Sequence, residues 1–277
     1  QVLTAIRLYG KNELENIERE LNRLTKSFKN FSKKYGYIKM PGYTHMQKAM
    51  PSSIGLWAGS FLESLADDLI LLNTAMKLND QSPLGSAAGY GITLALDRGY
   101  TAKLLGFSNV QDNPLYCQNS RGKIEAVIIA SLVNILQTIN KFASDVLLFT
   151  TAEFDFFKVS EEITTGSSIM PQKKNVDLAE LLRSKVHLVL GNYTQIVSLS
   201  SNLISGYNRD LQDSKKPFTE SLETTLDSLK VSEILINSLT PNKEVLEKSL
   251  SSEIYAAEKV FELVKKGVPF RKAYMEV

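Results

Sequence analysis

The sequence predicts an all-α fold built as a bundle of long helices. Seven apolar residues between positions 14 and 35 recur at alternating steps of three and four, the heptad spacing of one long helix packed along another. They are Leu14, Ile17, Leu21, Leu24, Phe28, Phe31 and Tyr35. A second stretch, from Ser120 to about Phe149, carries apolar residues on nearly every face, which indicates a helix buried on all sides. No run of any length alternates between apolar and polar residues, so no extended strand is predicted.

The first eighty residues predict two long helices. Residues 1–10 have the character of a helix interior, and the heptad pattern continues the same helix to Gly36, which ends it. Tyr37–Met50 is predicted to be a loop. Pro51-Ser52-Ser53 then opens a second helix that runs to about Asn79 and is largely buried, because its apolar residues fall on more than one face.

The middle of the chain alternates between loops and helices. Asp80–Gly91 is rich in glycine and predicts a loop, and a short helix follows near Leu94–Leu104. Gly106–Gln118 is predicted to be irregular. The most apolar helix, from Ser120 to about Phe149, comes next, and a monomer of this size would struggle to surround it, so we expect oligomerisation.

The segment after this helix predicts a loop followed by two further long helices. The loop is Thr164–Asn175, and the first helix runs from about Asp177 to Leu203. Gly206–Asp210 breaks the pattern, and a helix from about Gln212 to Leu239 follows. On the first of these helices we predict a buried side made of Leu178, Leu181, Leu182, Val186, Val189 and Leu190.

The C-terminal segment differs in scale from the rest. Thr240-Pro241-Asn242 is a turn that also starts a helix, and residues 245–277 carry short amphipathic helical patterns. We therefore predict two units, a long-helix bundle domain at 1–239 and part of a small helical domain at 240–277.

The composition excludes several classes of function. The net charge is +2 and the lysines are scattered, so neither a nucleic acid nor a membrane surface is indicated as a partner. The single Cys117 excludes an internal disulfide and fits a reducing compartment, and with only two histidines an ordinary zinc site is not expected. The N-terminus does not resemble a signal peptide, and the apolar residues around Val127–Ile129 are interrupted by Ser131 and Asn134, so no membrane span is predicted. We predict a cytoplasmic protein.

The loop Thr164–Asn175, which we call the 164–175 loop, combines groups that suit a ligand with carboxylates. Gly166 gives the backbone freedom and Pro171 fixes its own φ, and the loop also carries two serines, two lysines and an asparagine. A hydroxyl beside a fixed positive charge can act as a base next to a bound carboxylate. A basic surface loop has the same composition and is the alternative at this point.

The residues from Gly166 to Asn175, Gly-Ser-Ser-Ile-Met-Pro-Gln-Lys-Lys-Asn, resemble the signature of the fumarase/aspartase superfamily, in the form typical of argininosuccinate lyases. The resemblance implies a central long-helix core in a homotetramer with composite active sites. It also implies a β-elimination that cleaves argininosuccinate to arginine and fumarate, as in arginine biosynthesis. No metal or organic cofactor is implied.

The resemblance also assigns catalytic roles. Ser167 matches the family's catalytic serine, and Lys173 matches a ligand of the substrate carboxylate. His45 lies in Thr44-His45-Met46-Gln47, which resembles the superfamily's Thr-His-x-Gln motif, and would handle or orient a proton. Glu180 matches the glutamate that pairs with this histidine from another subunit.

The remaining matched residues are implied substrate contacts. Arg98 is the weakest of them, because it could equally be a structural ion-pair partner. Three contacts come from the segment Gly206–Lys215, which resembles the part that holds the argininosuccinate moiety. The full set is Thr44, Gln47, Arg98, Ser168, Asn175, Tyr207, Gln212 and Lys215.

Some features depart from the family pattern. Val176 stands where the family usually has proline, which should loosen the start of the next helix without removing a functional group. Gln1-Val2-Leu3 resembles the residues just after a Ser-Arg-Asn-Asp motif, so the family's N-terminal region and its C-terminal end are expected to be missing. Two alternatives stay open: another fumarate-producing lyase such as adenylosuccinate lyase, and a catalytically inactive, crystallin-like structural homologue.

Overall fold

A computed structural model describes all 277 residues and confirms the all-α prediction, with ten α-helices. Five of them are long: α1 (Val2–Tyr35), α2 (Ile54–Asn79), α5 (Lys123–Phe149), α6 (Asp177–Ser200) and α7 (Lys215–Ser238). The short ones are α3 (Arg98–Leu104), α4 (Pro114–Asn119), α8 (Lys243–Ser249), α9 (Ala256–Lys265) and α10 (Phe270–Glu276).

The five long helices form one bundle with α5 at its centre. Helix α5 packs against α2, α6 and α7, while α1 packs against α2 and α7. The heptad residues of α1 face this core as predicted, and all but the half-buried Tyr35 are buried. Burying one leucine or isoleucine stabilises a fold by roughly 2 kcal/mol, so this seam fixes α1 firmly along its length.

By length and composition alone, α5 could cross a membrane. Its most apolar window has a mean hydropathy of 1.5, and 61% of that window is buried inside the bundle. A core helix of a folded domain has the same composition, and the contacts of α5 with three other long helices place it in that class.

Helices α2 and α3 begin at different residues from those predicted, because a capping side chain sets the first residue of each. Helix α2 begins at Ile54 because the Ser53 hydroxyl accepts the backbone N–H of Leu56 at 3.1 Å. Helix α3 begins at Arg98 rather than near Leu94, because the Asp97 carboxylate caps it. The segment predicted to be irregular contains α4, whose first residue is Pro114.

Two further long helices are shorter than predicted, and one predicted buried face is wrong in part. Helix α6 ends at Ser200 and α7 begins at Lys215. On α6 the residues Leu182, Val186 and Val189 are buried, but Leu181 is 57% exposed and Leu190 is 43% exposed. The helix therefore presents a second apolar stripe to its surroundings.

Eight short strands form four two-stranded pairs, which corrects the prediction that the chain has none. They are β1 (Lys39–Thr44), β2 (Gln47–Ser53), β3 (Gln81–Ser82), β4 (Asn109–Val110), β5 (Phe157–Val159), β6 (Thr165–Gly166), β7 (Lys174–Asn175) and β8 (Leu239–Pro241). The predicted loop Tyr37–Met50 is thus mostly the antiparallel hairpin β1–β2. Its strands do not alternate in burial, and β1 contains Pro41 and Gly42, so the usual sequence signal of a strand is missing.

Gly36 ends α1 as predicted, but for a different reason. Its φ is −59°, an ordinary right-handed value, so no left-handed cap is involved. The Gly55 N–H donates to the Gly36 carbonyl at 3.1 Å, and a Cβ on Gly36 would lie 2.4 Å from the Ser32 carbonyl oxygen and 3.2 Å from the Gly55 Cα. Glycine is required because the end of α1 and the start of α2 touch backbone to backbone.

Candidate active site

The 164–175 loop is a short hairpin made of the strands β6 and β7. Strand β6 pairs with β7 in antiparallel fashion, with Thr165 opposite Asn175 and Gly166 opposite Lys174. Ser167 directly follows β6 and Lys173 directly precedes β7. The hydroxyl-bearing and the ammonium-bearing residue therefore lie at the two ends of the turn that joins the strands.

The Ser167 hydroxyl oxygen accepts two backbone hydrogen bonds within the turn. The N–H groups of Ile169 and Met170 point at its Oγ at 3.3 and 3.1 Å. Two donors aimed at one oxygen stabilise negative charge on it, as in an oxyanion hole. Ser167 and Asn175 are half-buried, whereas Ser168 and Lys173 are exposed.

The base of the loop is fixed by charged side chains. Lys174 forms a hydrogen-bonded ion pair with Glu161, and this hydrogen bond lowers the pKa of the glutamate. The Thr165 hydroxyl donates to an Asp177 carboxylate oxygen at 2.6 Å. Lys174 thus anchors the loop, while Lys173 has no ion-pair partner in the chain.

His45 lies at the tip of the hairpin β1–β2. Thr44 pairs with Gln47, so His45 and Met46 form a two-residue turn, with φ values of +51° and +60°. Positive φ at both positions is the signature of a type I′ turn. All four residues from Thr44 to Gln47 are exposed.

His45 and Met46 both line a cavity of about 470 Å³. Its floor includes Trp57, whose indole N–H donates to the Asp145 carboxylate at 2.9 Å. Burial raises the pKa of Asp145. Neither Ser167 nor Glu180 lines the cavity.

Glu180 lies in the first turn of α6, where its charge is favoured by the helix dipole. It is exposed, and no ion pair joins it to His45 within one chain. The two residues that the sequence pairs are therefore not paired with each other in a single copy.

A second cavity, of about 590 Å³, is lined by two of the predicted substrate contacts. Tyr207 and Gln212 line it, and the Gln212 side-chain amide donates to the Tyr207 hydroxyl at 3.2 Å. The glycine-rich loop and the first residues of α1 form the opposite walls. Lys215 is the first residue of α7 and is exposed, but does not line this cavity.

Arg98 does not line this cavity but binds the backbone of Leu84, which does. Its guanidinium donates to the backbone carbonyls of Gln111 at 2.8 Å, Leu84 at 2.9 Å and Asp112 at 3.0 Å. Its partners are carbonyl groups and not a carboxylate, so it is not the ion-pair partner considered from the sequence. It ties the glycine-rich loop to the segment before α4.

The sequence prediction missed Arg121, which also lines this cavity and is only 4% exposed. An arginine followed by glycine at the start of the most apolar helix was the one available signal. A charged residue is rarely buried unless it has specific partners, and those partners become visible only in the folded chain.

Comparison with known proteins decides the family. Residues 1–191 match the family described as lyase. The whole chain is 47% identical to the argininosuccinate lyase of Thermotoga neapolitana and covers 70% of that protein. The chain belongs to the argininosuccinate lyase family.

Other relatives agree with this family assignment. The chain is 40% identical over its whole length to the argininosuccinate lyase of Phocaeicola vulgatus and spans 62% of it. A crystal structure of EDDS lyase in complex with formate superposes with a TM-score of 0.91 over 99% of the chain and 55% of that protein, at 21% identity. An EDDS lyase variant with bound fumarate superposes equally well, at 20% identity. The argininosuccinate lyase family thus shares its long-helix fold with these more distant lyases.

Proposed function

We propose that this chain carries out the argininosuccinate lyase reaction, the cleavage of argininosuccinate to arginine and fumarate. The observation that carries this proposal is the 164–175 hairpin, in which Ser167 directly follows β6, Lys173 directly precedes β7, and Asn175 pairs with Thr165. The 47% identity to the Thermotoga neapolitana relative supports argininosuccinate as the substrate. The single Cys117, reduced and buried, supports a cytoplasmic location.

In the proposed mechanism, ionised Ser167 removes a proton from the carbon next to a succinyl carboxylate. The electron pair of that C–H bond is delocalised into the carboxylate and then forms the double bond of fumarate as the C–N bond breaks. The guanidino nitrogen leaves as arginine and takes a proton from the proton donor of the site. The N–H groups of Ile169 and Met170 stabilise the ionised serine. Lys173 and Asn175 bind the carboxylate on which negative charge develops.

His45 completes the proposed site as a proton donor or an electrostatic partner, oriented by Glu180. Because the two residues are unpaired within one chain, we propose that they meet between copies, in composite sites of a homotetramer. The further substrate contacts proposed from the family match are Thr44, Gln47, Ser168, Arg98, Tyr207, Gln212 and Lys215.

Exposed apolar residues on two long helices support this assembly. Leu181 and Leu188 lie two turns apart on α6, and each is 57% exposed. Ile70 and Leu71 on α2 are also exposed. Exposed apolar residues on long helices are typical of a subunit interface. We also propose that 1–239 forms the central domain of each subunit and 240–277 part of a smaller one.

The proposal is tested by following fumarate through its ultraviolet absorbance with argininosuccinate as substrate. Two forms are assayed: the chain alone, and the chain joined at both ends to the flanking segments of the Thermotoga neapolitana enzyme. We expect fumarate formation from at least the extended form. Adenylosuccinate is assayed in parallel, and fumarate release from it instead would indicate the rival lyase reaction. If neither substrate is cleaved, the remaining interpretation is an inactive structural homologue.

The Ser167→Ala variant tests the assigned base. We expect turnover to fall by roughly three orders of magnitude, because removal of a general base costs about 10²- to 10⁴-fold. The far-ultraviolet circular dichroism and the binding of argininosuccinate should change little. Ser252→Ala, an exposed serine in the C-terminal segment, is the control and should keep full activity. Undiminished turnover in Ser167→Ala would reject the serine as base.

A further inference from the structure

Arg121 lies at the junction of three parts of the chain that meet around the 590 Å³ cavity. It connects α4 to α5, and its side chain reaches across to the segment before α7. Only 4% of it is exposed. A buried guanidinium is costly unless its donors and its charge have partners, so its contacts identify what it does.

Two contacts tie Arg121 to the segment that carries Tyr207 and Gln212. Its Nη2 donates to the backbone carbonyl of Leu211 at 3.2 Å, and its guanidinium carbon lies 5.7 Å from the centre of the Tyr207 ring. The Tyr207 hydroxyl in turn accepts the Gln212 amide at 3.2 Å. One guanidinium therefore holds the backbone beside Gln212 and one face of Tyr207 together.

The Leu211 carbonyl and the Tyr207 ring are the principal partners of Arg121, because no carboxylate forms an ion pair with it. Glu125 is buried nearby, but its carboxylate accepts the Gly122 N–H at 2.8 Å, and burial raises the pKa of Glu125 despite the positive charges of Arg7 and Arg121. The buried Nε of Arg121 also has no partner within the chain.

We propose that Arg121 is a positioning residue that holds Tyr207 and Gln212 in the wall of the 590 Å³ cavity, and so sets the affinity for substrate there. The effect on affinity rests on the proposed function, since it takes Tyr207 and Gln212 to be substrate contacts. The ordering of the segment itself does not depend on any activity.

The test is chemical rescue of Arg121→Ala in the extended form of the chain. We expect KM for argininosuccinate to rise at least 10-fold, while kcat changes less than threefold. Amide hydrogen exchange should become faster in peptides covering residues 203–213. Added guanidinium ion should bind in place of the lost side chain and restore both KM and the slow exchange.

Two further variants keep the test decisive. Arg121→Lys keeps a charge but loses the planar group, so it should show the faster exchange even if Arg121→Ala does not fold. Arg19→Ala, an exposed arginine on α1, should change neither readout and should not respond to guanidinium. Unchanged exchange at 203–213 in both Arg121 variants, or an unchanged KM in an active enzyme, would overturn the inference. If the wild-type chain does not cleave argininosuccinate, the proposed function fails, and the exchange data still decide the positioning role.

Discussion

Asp68 is a buried acid in the interface between two long helices. It lies on α2 and is 5% exposed, and the Thr138 hydroxyl of α5 donates to its Oδ2 at 2.7 Å. The same hydroxyl lies 2.8 Å from the Ser64 hydroxyl. Burial is the main cause that raises the pKa of Asp68 from 3.8 to about 6. The Thr138 hydrogen bond lowers this pKa, and the negative charge of Asp67 raises it by a smaller amount.

This raised pKa makes the stability of the chain depend on pH. The folded state binds the Asp68 proton more tightly than the unfolded state, so its contribution is fully present below pH 3.8 and is lost as the pH rises to about 6. Asp68→Asn should therefore be more stable than the wild type at pH 7, by up to about 3 kcal/mol, and the difference should vanish near pH 4. Urea unfolding between pH 4 and 7.5 measures this. Glu15→Gln, which changes an exposed carboxylate on α1, is the control, and a pH-independent difference for Asp68→Asn would contradict the prediction.

At the scale of elements, the sequence predicted the long helices, which depend on periodic burial, and missed the β1–β2 hairpin, which depends on its turn. The heptads of α1 and the all-round apolar surface of α5 predicted both helices, because burial in a bundle repeats with the helix period. The hairpin β1–β2 was missed because its turn, His45-Met46, lacks the Asn-Gly or Asp-Gly pair that usually marks such a turn. The 164–175 loop was recognised from its residues, but its strand register came only from pairing in three dimensions.

The same turn stores backbone strain. Met46 has φ +60°, a left-handed conformation that costs a residue with a side chain roughly 1–2 kcal/mol. We expect Met46→Gly to raise the free energy of unfolding by about 0.5–1 kcal/mol, after allowing for the greater freedom of glycine in the unfolded chain. Urea unfolding checks this. Met50→Gly changes an exposed methionine inside β2, where the same freedom is only a cost, so it should lower the stability. The same sign for both substitutions would contradict the assignment of strain to the turn.

At the scale of the whole molecule, one copy of the chain holds three separate groups of predicted site residues. Ser167, Lys173 and Asn175 share the 164–175 loop, Tyr207 and Gln212 share the 590 Å³ cavity, and His45 lies at a hairpin tip. A pattern within one sequence cannot show whether such groups combine between copies, because a subunit contact leaves at most an exposed apolar face in each chain. Leu181 and Leu188 on α6 are exposed apolar residues of the kind that such a contact would cover.

Composite sites make a quantitative prediction about mixtures of inactive variants. If each site takes Ser167 from one chain and His45 from another, random assembly of equal amounts of Ser167→Ala and His45→Asn chains leaves roughly a quarter of the sites with both native residues. Co-expression of the two variants in the extended form should therefore restore roughly a quarter of the wild-type activity, measured as fumarate release. A matched mixture of Ser167→Ala with Lys173→Met should restore none, because both residues come from the same loop of one chain. Equal failure of both mixtures would mean that Ser167 and His45 act from a single chain, whereas recovery in both would mean that the serine and the lysine do not serve the same site.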